Sequence, residues 1–203
     1  MTWALQFDGV NDYATLASVI DFTGDFTIEF ELDLTVSRND GFLELSTSTN
    51  NFFGKINNNA IFCRMGGQTL QYNPGASVIG VHKYKWQKTG TTLVASFDNV
   101  VQITNSSFTG GSTFDLIGRL QGVNHLLGKL LSITGVDSNA QSFNYSPTAS
   151  DRSNTGLQPV LVDTIGGNDA TGVNFPTNGG AWFNYGGTPT FKQYYITNYS
   201  GVI

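Results

Sequence analysis

The stretch Phe26-Thr27-Ile28-Glu29-Phe30-Glu31-Leu32-Asp33-Leu34 decides the fold class of this protein. Its apolar and polar side chains alternate strictly, with the period of two that is expected of a β-strand with one buried and one open face. An amphipathic helix would instead repeat its apolar positions every three or four residues, and no segment of the chain shows that period together with capping residues. We therefore predict a strand over residues 26–34 whose inward side chains are Phe26, Ile28, Phe30 and Leu32.

Short turn signals divide the residues after this strand into hairpins. These turns are Asn57-Asn58-Asn59, Gly66-Gly67, Thr89-Gly90 and Asp98-Asn99, and they separate runs 52–56, 60–65, 68–72, 82–88, 92–97 and 100–104. Asn and Gly tolerate the positive φ that tight turns require. Strands joined by turns this short are antiparallel, because parallel neighbours need long crossovers. A ladder of this length must pack against a second sheet or close on itself, so we predict an all-β antiparallel sandwich.

The composition excludes several classes of protein. The 203 residues suit one domain and include 15 acidic and 10 basic side chains, for a formal net charge of −5. The basic residues form no cluster, so we expect no nucleic acid as a partner. No apolar run approaches the ~20 residues that span a bilayer, so we expect no membrane partner either. Residues 1–6 lack the charged start and apolar core of a secretory signal.

Four stretches follow one another in a fixed order within residues 3–136. They are 5–14, which contains Phe7-Asp8-Gly9, then 26–30, 81–100 and 127–133. In this order they resemble the laminin G-like domains of the concanavalin A-like lectin and glucanase superfamily. The resemblance implies a jelly-roll β-sandwich over residues 1–136.

Residues 137–203 differ in composition and are rich in Gly, Asn, Thr and Pro. Residues 163–171, with 173–176 and 182–183 after them, resemble an extension found on such domains in bacteriophage virion proteins. We expect this C-terminal extension to pack on the sandwich or on a neighbouring subunit, within one structural domain overall.

The aromatic content of this extension argues against a free tail, because unstructured tails are poor in aromatic residues. The extension contains Phe143, Tyr145, Phe175, Trp182, Phe183, Tyr185, Phe191, Tyr194, Tyr195 and Tyr199. We expect the runs 182–185 and 191–196 to add strands at a sheet edge. A charge-poor aromatic segment is also typical of protein interfaces, so we predict an assembly element and a homo-oligomer.

Three acids on the strand at 26–34 raise the question of catalysis. Glu29, Glu31 and Asp33 share one face at a spacing of ~6.6 Å, from which a neighbouring pair can approach the ~5–5.5 Å of a retaining glycosidase dyad. Some glycoside hydrolases of the resembled superfamily carry such acids in the order Glu-x-Asp-x-Glu, whereas the order here is Glu-x-Glu-x-Asp, and no aromatic residue alternates with the acids. We predict a solvated acidic face paired with Lys83 and Lys85, and no enzyme activity.

The remaining reactive side chains match no catalytic pattern. His82 and His125 are the two histidines, and neither belongs to a Ser/His/Asp or metal-ligand motif. Cys63 lies within an apolar run, so we expect a buried thiol rather than a nucleophile.

Asp8, Asn11 and Asp12 form the one candidate metal site. They offer closely spaced oxygen ligands, and the resemblance implies a structural Ca²⁺ held between loops. Hard cations need six to eight oxygens, so backbone carbonyls and the loop at 163–169 would have to complete the shell. The alternative is that the three residues form turns through their own hydrogen bonds. No other cofactor is expected.

Two functions follow from these observations. The first is a non-catalytic bacteriophage virion protein at the particle surface, as capsid decoration, tail fibre or spike, made in the host cytoplasm and bound to other virion subunits. The second is a carbohydrate-binding lectin module that attaches to cell-surface glycans. The extension and the uncharged Asn/Thr/Gly surface favour the first function.

Overall fold

Eighteen β-strands form two large antiparallel sheets and one small ribbon in the described residues. The computed structural model describes residues 2–36, 38–56, 59–147, 158–176 and 180–185. Within these ranges no helix has the length and apolarity needed to cross a bilayer. The all-β sandwich predicted from the alternation and the turns is confirmed.

The strand predicted at 26–34 lies at the centre of the first sheet, sheet A. In spatial order this sheet contains β10 (Val100–Asn105), β9 (Thr92–Phe97), β8 (Gly80–Thr89), β3 (Phe26–Leu34), β14 (Leu127–Val136), β1 (Thr2–Asp8) and β18 (Trp182–Tyr185). A further strand, β15 (Ser142–Tyr145), pairs with the second half of β14.

The second sheet, sheet B, faces sheet A across the core. In spatial order it contains β16 (Val160–Leu161), β17 (Ala170–Val173), β2 (Tyr13–Asp21), β11 (Thr113–Ile117), β4 (Asp40–Leu45), β5 (Ser48–Ile56), β6 (Ala60–Met65) and β7 (Gln68–Tyr72). The ribbon consists of β12 (Arg119–Leu120) and β13 (Asn124–His125). It presses so closely on β4 that a Cβ atom at Gly41 would lie 2.0 Å from the Arg119 carbonyl carbon.

Aromatic side chains from both sheets meet in the core. The Phe53 ring of sheet B lies 5.0 Å from Trp86 and 6.0 Å from Phe30 of sheet A, measured between ring centroids. The four residues predicted to point inward are all buried, with at most 3% of their surface exposed: Phe26, Ile28, Phe30 and Leu32. The strict alternation therefore identified the inner face of β3 correctly.

The turns predicted at Gly66-Gly67 and Asp98-Asn99 have the backbone geometry that their residues favour, whereas the turn predicted at Thr89-Gly90 lies one residue later, at Gly90-Thr91, because Thr89 still pairs with Thr92. Gly66 and Gly67 both have positive φ, as do Asp98 (48°) and Asn99 (66°). Two successive positive φ values are the signature of the type I′ turn, whose twist matches that of the flanking strands. Asn59 has φ 64°, whereas Asn57 and Asn58 lie outside the described residues.

The described part of the extension adds strands to both sheets. β15 joins sheet A beside β14, β16 and β17 join sheet B beside β2, and β18 pairs with β1 at the edge of sheet A. The predicted edge strand at 182–185 is thus present, while the run at 191–196 lies outside the described residues. The assembly role of the extension stays a prediction.

Candidate functional site

Glu29, Glu31 and Asp33 of β3 form a row of acids, the acidic row, along the middle of the outer face of sheet A. Cross-strand register places Glu29 opposite Lys85 and Glu31 opposite Lys83 on β8. The ion pair forms diagonally, with Lys83 Nζ 3.3 Å from Glu29 Oε1. On the other side, Lys129 Nζ of β14 lies 2.9 Å from Asp33 Oδ2. The predicted pairing with lysines is therefore present at Lys83, and Lys129 is a partner that sequence reasoning missed.

This arrangement favours a solvated charged face over a catalytic dyad. A glycosidase dyad needs one carboxylic acid that is protonated at working pH and one free carboxylate beside it. Glu29 and Asp33, at the two ends of the row, are held instead in ion pairs with Lys83 and Lys129.

The predicted metal ligands lie in the turn between β1 and β2, and they form the hydrogen bonds of that turn. Asp8 Oδ1 accepts the backbone N–H groups of Val10 (2.7 Å) and Asn11 (3.2 Å), and Asp12 Oδ2 accepts the backbone N–H of Asp8 (2.9 Å). The side chains of these acids thus perform the turn-forming role that was the alternative to metal binding.

Asp12 differs from its neighbours because it is only 1% exposed. Its Oδ1 atom has no hydrogen-bond partner in the described part of the chain, and burial raises the pKa of Asp12 to about 6. The loop at 163–169 contacts Ala17 and Ser18 further along β2 rather than this turn. Among the described residues no group of three His, Cys, Asp or Glu side chains is placed to hold a metal. The calcium site stays a prediction.

A buried ion pair stands near this turn, and sequence reasoning missed it. Lys55 Nζ lies 3.3 Å from Asp40 Oδ2, and both side chains are completely buried. Asp40 Oδ1 also accepts the backbone N–H of Leu127 at 3.0 Å. Burial raises the pKa of Asp40 and lowers that of Lys55, although each charge counteracts the effect on the other. The sequence feature that could have indicated this ion pair is a lysine within the apolar run Phe52-Phe53-Gly54-Lys55-Ile56.

Arg38 ties the loops at this end of the sandwich together. One guanidinium nitrogen donates to the carbonyl oxygens of Gly9 (2.5 Å) and His125 (2.6 Å). The hollow beside it, of about 290 Å³, is lined by Gly9, Arg38, Asn39, Val123 and Asn124. Because the guanidinium is already bonded to two carbonyl groups, its main role here is to hold the loops.

His82, His125 and Cys63 contribute to packing and hydrogen bonding within the fold. His82 Nδ1 lies 2.8 Å from Asp98 Oδ2, and its ring packs on Phe97 with centroids 4.8 Å apart. His125 is buried, with Nδ1 3.2 Å from the carbonyl oxygen of Asp12. Cys63 is fully buried, and burial raises the pKa of its thiol well above the usual value. A thiol of this kind is a poor nucleophile.

A polar cavity of about 170 Å³ opens where the extension meets β2. Its lining comes from β2, from the start of β15 with the turn before it, and from the loop between β16 and β17, and comprises Ala17, Ser18, Val19, Ile20, Asp137, Gln141, Ser142, Phe143, Asp163, Gly166, Gly167 and Asn168. Sequence reasoning did not identify this site, because its walls come from three distant parts of the chain.

Asp163 and Asn168 shape the wall of the cavity. The two Asp163 oxygens accept backbone N–H groups from Asn144, Ile165, Gly166 and Asn168. Although burial raises the pKa of Asp163, these donors outweigh it and hold the pKa below its usual range.

Asn168 makes the two backbone hydrogen bonds with Ser18 of β2 that a neighbouring strand would otherwise make. Its side-chain oxygen accepts the backbone N–H of Ser18 (2.7 Å), and its side-chain nitrogen donates to the Ser18 carbonyl (2.8 Å). These two bonds fix the loop on β2, so the cavity has preformed walls.

No protein-family model matches the chain, and no curated protein matches it in sequence. Solved structures do share its fold. A candidate carbohydrate binding protein from Bacteroides ovatus superposes with a TM-score of 0.62 at 13% identity, over 85% of this chain and 58% of that one. The chain thus spans little more than half the length of that protein.

Two further structures are similar. The native heptameric SAP-like pentraxin from Limulus polyphemus superposes with a TM-score of 0.52 at 10% identity, over 67% of this chain and 76% of that one. Domains LG4-5 of the mouse laminin α1 chain give a TM-score of 0.49 at 19% identity, over 69% of this chain and 42% of that one. At these identities the likeness concerns the fold, and the protein has the antiparallel, concanavalin A-like β-sandwich that the Bacteroides and Limulus structures share with it.

Proposed function

We propose that the protein is a non-catalytic carbohydrate-binding module. The observation that carries this proposal is the preformed polar cavity of about 170 Å³ at the edge of the sandwich. Ligand sites are concave, largely preformed and equipped with a few convergent polar groups. The fold likeness to a candidate carbohydrate binding protein supports the same reading.

The non-catalytic part of this proposal rests on the ion pairs that engage two acids of the acidic row. Glu29 and Asp33 are engaged by Lys83 and Lys129, and the histidines and Cys63 have the structural contacts described above. A binding function needs none of these groups to be reactive. Recognition by shape and hydrogen bonding therefore accounts for the polar cavity better than bond cleavage does.

A glycan array followed by calorimetric titration tests the proposal. We expect reproducible binding to at least one saccharide and no release of reducing ends from a polysaccharide panel. Hydrolysis that disappears in Glu29→Gln or Glu31→Gln variants would contradict the non-catalytic part. An array without any bound saccharide would contradict the binding part.

The virion surface role stays a prediction from the resemblance of residues 163–183. The fold likeness supports the lectin alternative more directly than this role. The two are compatible, since a particle surface protein can attach to host glycans. Association of the purified protein with a capsid or tail would support the virion role.

A further inference from the structure

We propose that the cavity between β2, β15 and the loop at 163–169 binds a single, uncharged sugar residue. This inference rests on the proposed function, and it names the site and the class of ligand. It is drawn from the polar groups that line the cavity, the way its walls are held, the charges around it and its size.

Three polar side chains that line the cavity are available to a ligand. Ser18, Gln141 and Ser142 are exposed, and in the described part of the chain none of these side chains has a protein hydrogen-bond partner. Hydroxyl and carboxamide groups can both donate and accept. A sugar hydroxyl also does both, so the two sets of groups match.

The backbone around these side chains is already ordered. Asp137 Oδ1 accepts the N–H groups of Asn139 (2.8 Å) and Gln141 (2.9 Å), which fixes the turn before β15. On the opposite wall, Asn168 clamps Ser18 through two hydrogen bonds. A preformed site loses little conformational entropy on binding, so a few hydrogen bonds can give measurable affinity.

The charges around the cavity favour an uncharged ligand. Asp137 and Asp163 line it, both at least nine-tenths buried, and the described residues of the lining include no basic side chain. A ligand carboxylate or sulfate would meet two carboxylates and, among the described lining residues, no counter-charge, which opposes binding. The formal net charge of −5 acts in the same direction.

The size of the cavity limits the ligand to about one ring. A cavity volume of about 170 Å³ is close to the roughly 150 Å³ of a cavity that holds one benzene ring, so it suits one sugar ring rather than an oligosaccharide. Val19, which lines the cavity and is 51% exposed, offers an apolar contact for the C–H face of the ring. The recognised unit is therefore a single residue, such as the end of a glycan chain.

Titration with methyl glycosides tests this inference. The panel contains neutral glycosides of glucose, galactose, mannose and N-acetylglucosamine, and the anionic glycosides of glucuronate and N-acetylneuraminate. The variants are Gln141→Leu, which removes polar groups, and Ser142→Trp, which fills the cavity. Gln71→Leu, an exposed glutamine on β7 outside the lining, is the matched control. Thermal unfolding of each variant verifies that it is folded.

We expect the wild type and Gln71→Leu to bind a neutral glycoside equally well, Gln141→Leu to bind about tenfold more weakly, and Ser142→Trp to lose binding. Neutral-sugar binding that is unchanged in both cavity variants would overturn the site and leave the proposed function standing. Binding of anionic glycosides alone, or of oligosaccharides without their terminal residue, would overturn the ligand class. Failure of every saccharide on the array and in titration would overturn the proposed function itself.

Discussion

Replacing Lys55 by Met is expected to destabilise the protein by about 3 kcal/mol. Both Lys55 and Asp40 are completely buried, so the change leaves a carboxylate in the interior without its main counter-charge. Breaking a buried ion pair in this way typically costs about 3–5 kcal/mol. We expect the lower end of that range, because Arg38 Nε remains 3.4 Å from Asp40 Oδ1 and Leu127 still donates its N–H.

The double variant Asp40→Leu/Lys55→Met separates the ion pair from simple packing. Apolar replacement of both partners of a buried pair is often close to neutral, but here it also leaves the Leu127 N–H without its acceptor. We therefore expect a loss of about 1–2 kcal/mol, which is smaller than that of Lys55→Met alone.

Urea unfolding at pH 7, followed by tryptophan fluorescence and circular dichroism, measures both values. Lys85→Met, on the outer face of β8, serves as the control and should stay within about 0.5 kcal/mol of the wild type. A double variant that is less stable than Lys55→Met would refute the reasoning. So would a Lys55→Met protein as stable as the control.

Three other perturbations follow from the fold, the turn and the extension. Phe30→Ala should lower the unfolding free energy by about 3–5 kcal/mol, because the ring is fully buried among Phe42, Phe53 and Trp86; a loss below 1 kcal/mol in urea titration would contradict its core position. Asp12 has its pKa raised from 3.8 to about 6, so the folded state binds its proton more tightly and stability falls as pH rises between these values. Asp12→Asn should therefore stabilise the protein by about 2 kcal/mol at pH 7.5 in EDTA and change little at pH 3.5; a wild type that Ca²⁺ stabilises while the variant does not respond would instead support the calcium site. Deletion of residues 188–203 should leave a folded protein that no longer self-associates in sedimentation; unfolding would assign the segment to the core, and unchanged association would contradict the assembly role.

The acidic row shows which contacts the pattern of a single strand can predict and which it cannot. Alternation predicted that Glu29, Glu31 and Asp33 share an outer face, because successive side chains of a strand point to opposite sides. It also pointed to a lysine partner on the strand at 82–88, and Lys83 is that partner. The partner of Asp33 is Lys129, which lies 96 residues away in sequence, and no local pattern links the two.

The sequence by itself determined the fold class, the buried face of β3 and the hairpin turns, because backbone geometry sets the period of two and the φ that Asn and Gly accept. Only the tertiary structure decided how the hairpins are divided, with β4–β7 in sheet B and β8–β10 in sheet A. It also brought Lys55 to Asp40 and placed Asn168 on Ser18, 150 residues away in sequence. The physical reason is that the hydrogen-bonding edge of a strand is nearly the same for every partner, so long-range neighbours are selected by the packing of the whole chain.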